Sequence, residues 1–265
     1  MNGMARFSLR ALQLLVCLLV PVAAHGACVD DPARAHELRV LDEAQVIDLM
    51  EQHPVVAAPE KLHRIMASLI AASPRLLGGA SIHLLAYENA ELNAYAADHG
   101  LVILTSAMWS EQQALSDDEL AAVIAHELAH IEGRDSLVEA CSNLQRLGDP
   151  ALRIEDARDR MALEMFNPRS PAARAAREEL HAQEHAADVR GIELLRRIGR
   201  DPAAMVSVLA KIHGTEASGL NLLMGSSHPD VKERLRKARE AAQGAGFKTD
   251  GQDPPSALRP SPRAP

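Results

Sequence analysis

Apolar residues change their spacing twice along this chain, and each change marks a change of element. From His36 to Met50 they recur at Leu38, Leu41, Ile47 and Met50, the loose repeat of a helix with one buried side. Pro54 and Pro59 end it and open a second helical stretch through Leu62, Ile65, Met66, Leu69 and Ile70. After Pro74 and the Gly78-Gly79 pair come short runs at Ile82 to Tyr87, Leu92 to Ala96 and Leu101 to Thr105. Asn89 and the tip Asp98-His99-Gly100 punctuate them, which predicts two or three strands of a small antiparallel sheet. The helical step then returns. Ser116 and Glu119 have the spacing of a capping box, ahead of an apolar stripe at Leu120, Val123, Ile124, Leu128 and Ile131. Further helices are predicted over Asp135–Leu147, Ala151–Phe166, Pro171–Ile198, Pro202–Ile212 and Pro229–Ala242.

Composition explains this texture. Hydrophobic residues make up 47% of the 265 residues but aromatics only 2%, so the core is built from small and aliphatic side chains, which suits helix against helix. Acidic residues outnumber basic ones by 36 to 28, and no basic cluster is interleaved with aromatics, which argues against nucleic acid as a partner.

The two ends stand apart from the body. Arg6 and Arg10 precede an apolar run from Ala11 to Val20, then Pro21 and small residues, which is the layout of a secretory signal peptide over residues 1–27. The run is shorter than the roughly 20 residues a membrane span needs. Cys28 directly after it leaves a lipoprotein variant open, and peripheral membrane association with it. Gly, Pro and Ser dominate from Gly244, predicting a disordered tail over 244–265. The body, 28–243, reads as one domain. Its two cysteines, Cys28 and Cys141, could pair in an oxidising compartment, although spacing alone does not show that they meet.

The candidate chemistry lies at His126-Glu127-Leu128-Ala129-His130. Residues four apart share one helix face, so His126 and His130 can offer two imidazole nitrogens to one ion. Glu127, turned by about 100° around the axis, can reach a water on that ion without being a ligand. Two histidines on zinc leave room for a third protein ligand and for water, whose pKa falls toward about 7 on the metal. Glu127 is then the candidate general base. No third histidine follows within six residues of His130, so the third ligand is sought on a later helix. There Glu184 and Asp188 lie one turn apart on the side that also carries Leu180, Gly191 and Leu195. A carboxylate pair on a core-facing stripe is costly unless occupied. Glu184 as ligand and Asp188 as acceptor of a histidine N–H would remove that cost. A rival arrangement overlaps it: His181-Ala182-Gln183-Glu184-His185 fits the inverted zinc motif, with His181 and His185 as ligands, Glu184 as base and Glu193 as a further ligand.

These pieces together resemble the gluzincin-type metallopeptidase family that contains the CaaX-prenyl-protein endopeptidases and the heat-shock protease HtpX, including its soluble exported branch. The resemblance runs from Ile82 to Arg234 through Asn93-Ala94-Tyr95-Ala96, Gly100 to Thr105, Glu119 to His130, Glu184 with Asp188 and Gly191, and His228-Pro229 with Arg234. It implies one Zn2+ per chain on His126, His130 and Glu184, with Asp188 in support. It also implies that the strand of Asn93, Ala94 and Tyr95 is the sheet edge to which an extended substrate adds. His228 would help stabilise the reaction's tetrahedral species or cover the metal, and Arg234 would pair with a nearby carboxylate or stand in a surface salt bridge.

The expectation is therefore an α+β, mostly α, zincin-like domain, exported to the periplasm or beyond. It would hydrolyse peptide bonds of exported or misfolded proteins. The competing class is a chaperone-like quality-control binding factor with a latent zinc site.

Overall fold

The computed structural model describes residues 26–77, 81–112, 114–167, 169–215 and 231–244. The expected signal peptide (apart from residues 26 and 27), the tail beyond Gly244, and His228 lie outside them. The described residues form α1 (Pro32–Gln52), α2 (Glu60–Ala71), a short α3 (Pro74–Leu77), β1 (His83–Tyr87), β2 (Ala94–Ala97), β3 (Leu101–Thr105) and a 3-10 turn at Ser106–Trp109. There follow α4 (Asp117–Gly133), α5 (Asp135–Arg146), α6 (Ile154–Met165), α7 (Pro171–Arg197), α8 (Ala203–Thr215) and α9 (Val231–Gln243). This is the expected α+β, mostly helical architecture. Among the described residues no helix is long and apolar enough to cross a membrane.

The central element is α4, buried along nearly its whole length from Glu119 to Ile131. Alanines at 121, 122, 125 and 129 let its neighbours approach closely. Its start is the capping box read from the sequence: Ser116 Oγ accepts from Glu119 N at 3.2 Å, and Glu119 Oε2 accepts from Ser116 N at 2.8 Å. Its end is less regular. Arg134, not Gly133, takes the left-handed position, with φ of 54°, and turns the chain straight into α5. Against α4 lies α7, 27 residues long and opened by Ser170 and Pro171. Gly191 sets their separation: a Cβ there would stand 3.3 Å from His126 N and 2.6 Å from Met205 Cε.

The sheet is mixed rather than antiparallel throughout. β2 and β3 form the predicted hairpin, paired from Ala94↔Leu104 to Ala97↔Leu101, but β1 runs parallel to β3 on its other side, in the order β1-β3-β2. Burial explains the order. Val102, Ile103 and Leu104 are all buried, so β3 takes the centre, while the short Ala-Tyr-Ala-Ala strand is left at an edge. Gly100, with φ of 98°, closes the hairpin where a Cβ would meet Ser81 O at 2.7 Å.

A second, smaller core joins α1, α5 and α6 through Leu38, Leu137, Ala140, Cys141 and Ile154. Cys28 and Cys141 form a disulfide there, with Cα atoms 5.8 Å apart. Its sulfur thus engaged, Cys28 has none free for a lipid thioether, and the lipoprotein variant falls.

Candidate metal centre

The lower half of α4 and the middle of α7 face each other across the Gly191 contact, and their polar side chains converge there. His126 Nε2 lies 3.1 Å from His130 Nε2. Glu184 reaches both from α7, with Oε2 3.5 Å from His126 Nε2 and Oε1 3.6 Å from His130 Nε2. One ligand atom from each of the three residues lies within 4.8 Å of the others. Among the described residues they are the one such cluster. His181 and His185 do not join it, and Glu193 is drawn to Arg190 at 2.9 Å, so the inverted arrangement is not assembled.

The surrounding side chains hold these donors in place. His126 Nδ1 lies 3.1 Å from Asp188 Oδ1, and His130 Nδ1 lies 2.7 Å from Asp135 Oδ2, so each ring is fixed from behind by a carboxylate. Arg234, on α9, is fully buried. Its Nε and Nη2 donate to Asp188 at 2.9 and 2.7 Å, and its Nη1 stands 2.6 Å from Glu184 Oε2. Arg234 is thus a buried clamp on both acids, which decides against the surface salt bridge. Glu127, itself buried, shares with His126 and Arg234 a small pocket whose wall carries Asn93 and Ala94 from the sheet edge and Met205 and Val208 from α8.

The electrostatics suit a cation. Three carboxyl groups, those of Asp188, Glu184 and Glu127, act on the one guanidinium of Arg234, and a fourth, that of Asp135, stands against His130. Burial disfavours a charged His126, yet the carboxylates of Asp188 and Glu184 outweigh it and hold its proton up to about 10. Burial likewise pushes the Asp188 carboxyl up, but Arg234 and then His126 outweigh it and leave it below its ordinary value. Two imidazoles and a carboxylate are the donor set of a zinc site with an open position. A dication there would replace the proton on His126 and offset the excess of acidic groups.

Sequence reading singled out His126, Glu127, His130, Glu184, Asp188 and Arg234 as candidates, and the structure brings all six together. It missed Asp135. The one signal for it was an acid five residues past His130, just beyond a helix end.

Fold and site together define a zincin-like metallopeptidase domain. Residues 57–242 match the model of peptidase family M48, and the chain belongs to that family. It is 31% identical over 173 residues to the Beta-barrel assembly-enhancing protease of Yersinia pestis, and 30% identical over 171 residues to that of Escherichia coli K12. Each match covers 60% of this chain and 34% of the relative, so the chain spans about a third of the length of the relatives it matches.

Proposed function

We propose that the chain is a zinc-dependent endopeptidase acting on exported or misfolded polypeptides, with His126, His130 and Glu184 as zinc ligands and Glu127 as general base. The observation that carries the reading is the convergence of two imidazole nitrogens and a carboxylate, one of the imidazoles, His126, lining a pocket together with the buried Glu127. Bound zinc would supply a Lewis acid that makes water acidic near neutral pH and polarises a carbonyl. The protein's own groups do the rest. Asp188 and Asp135 hold the two rings so that each turns Nε2 inward, and Arg234 fixes Asp188 and Glu184 against each other. Glu127 takes the proton of the attacking water on its carboxylate and passes it to the nitrogen of the leaving amine. An extended substrate adds along the Asn93–Tyr95 edge, whose outward backbone groups offer the pairing a strand needs.

Export is part of the proposal. The disulfide between Cys28 and Cys141 belongs to an oxidising compartment, in keeping with a signal peptide over residues 1–27 and a periplasmic location. The catalytic unit is the domain 28–243.

Digestion of an unfolded protein such as casein tests the chemistry. Wild type is expected to cut it and to lose activity to a chelator. Glu127→Gln should keep its zinc but cut about 10²–10⁴-fold more slowly. Equal rates for the two proteins, unaffected by chelation, would remove the peptidase reading.

A further inference from the structure

The open edge of the sheet is β2, and its two faces meet different surroundings. Asn93 O accepts from Thr105 N at 3.0 Å, and the pairing repeats at every second residue, so 93, 95 and 97 direct their backbone groups to β3. The backbone groups of Ala94 and Ala96 therefore project outward. Asn93 Oδ1 accepts from Ala94 N at 2.9 Å, a contact that an incoming strand would replace. The side chains alternate. Ala94 and Ala96, with Val102 and Leu104 across the pair, belong to the core shared with α4. Tyr95 and its partner Ile103 therefore lie on the opposite face.

On that opposite face is a cleft of about 280 Å³. One wall is α1, which contributes Asp42, Gln45, Val46 and Leu49; these positions fall on one side of a helix. The other wall is Tyr95 and Ile103. The lining is mostly apolar, but the buried Asp42 belongs to it too, with its Oδ1 3.1 Å from Arg158 Nη2. Val46 and Leu49 are only half-buried, and Tyr95 is 39% exposed, so this apolar surface is incompletely covered. The α1 wall lies ahead of residue 57, where the match to the family begins.

We propose that this cleft is a second substrate subsite, which takes a bulky aliphatic or aromatic side chain of the polypeptide strand added along β2. The inference rests on the peptidase reading above and specifies what that site selects. Ala94 lines the pocket beside His126 and Glu127, and Tyr95, the next residue, lines the cleft. A strand laid against them alternates its side chains in the same way. One residue enters the pocket of Val123, Met205 and Val208, and its neighbour enters the cleft of Val46 and Leu49. The pocket and the cleft are both lined mainly by apolar side chains. The site therefore selects consecutive apolar residues, the composition of strands that are covered on both faces in folded proteins and exposed when those proteins unfold.

Cleavage sites mapped by mass spectrometry on a peptide library, with zinc-loaded wild type and Val46→Trp, test this. Filling the cleft should lower kcat/KM about tenfold for peptides with Leu, Ile or Phe at one position within three residues of the cut, chiefly through KM. Positions of the opposite parity should keep their preference. Zinc content and thermal unfolding verify that the variant is folded. Should it fail to fold, Leu49→Ser, which makes the cleft polar instead of filling it, carries the test with the same expected loss. An unchanged profile in a folded variant overturns the subsite and leaves the peptidase reading standing. A zinc-loaded wild type that cuts nothing sinks that reading, and the subsite with it.

Discussion

Asp135 ties the candidate metal site to the body of the protein at the scale of a single residue. Its carboxylate holds His130 Nδ1 at 2.7 Å, and it sits at the first position of α5. That helix start is capped from a distance, because Arg134 provides no side-chain cap and Asp98 Oδ2 accepts from Leu137 N at 2.9 Å. The hairpin tip thus steadies the turn that presents Asp135. Carboxylates behind metal-bound histidines are worth about 10–100-fold in affinity. Asp135→Ala should weaken zinc binding by roughly that factor, with Asp135→Asn between it and wild type, as read by competition with a chelating dye. Undiminished affinity in a folded Asp135→Ala protein would show that the contact does not support the ligand. Why this residue escaped sequence reading is physical. His126, Glu127 and His130 announce themselves through helical spacing, and Glu184 through the cost of burying a carboxylate. The approach of Asp135 to His130 depends on the left-handed turn at Arg134, and the neighbouring Gly133 gives no hint that a non-glycine residue takes that position.

Elements follow the same division between local and non-local causes. The capping box, the prolines at helix starts and the hairpin tip were legible because each acts within a few residues. Strand order was not. Alternation says which residues of a strand share a face, and nothing in it says which strand lies alongside, so the parallel β1–β3 pair could not be foreseen. A similar non-local contact extends the cap of α4. Glu119, besides closing the box, accepts from Ser207 Oγ at 2.6 Å and from Lys211 Nζ at 2.7 Å, which ties α8 to the start of the helix that carries His126 and His130. Burial pushes the Glu119 carboxyl up, but Lys211, Ser207 and the Ser116 backbone outweigh it and hold it at about 2, below the ordinary 4.5. A group depressed on folding stabilises the fold fully above its unfolded pKa and loses that contribution as pH falls through 4.5 toward 2. Glu119→Gln should therefore cost about 1 kcal/mol near pH 7 in urea unfolding, shrinking steadily below pH 4.5. A loss that stayed constant down to pH 3 would mean that the charge is not what matters.

For the whole molecule, two cores of unequal size share the load. The larger surrounds α4, the helix that carries His126 and His130, while the smaller joins α1, α5 and α6. The cysteines were visible in the sequence, but their meeting depends on α1 folding back over α5, which no local pattern encodes. The disulfide closes a span of 113 residues across the smaller core. Chain-entropy reasoning assigns a loop of that length about 4–5 kcal/mol, through restriction of the unfolded chain. Since α1 packs on α5 and forms one wall of the β2 cleft, the bond also restrains a surface beside the site. Reduction, or Cys141→Ala, should lower Tm by about 10–15 °C. Zinc binding at 25 °C should be nearly unchanged, because His126, His130 and Glu184 are held by α4 and α7 within the larger core. Calorimetry with and without reductant, paired with zinc titration, separates the two effects. If zinc affinity fell together with Tm, the packing of α1 on α5 would also govern how Asp135 meets His130, and the division between the two cores would not hold.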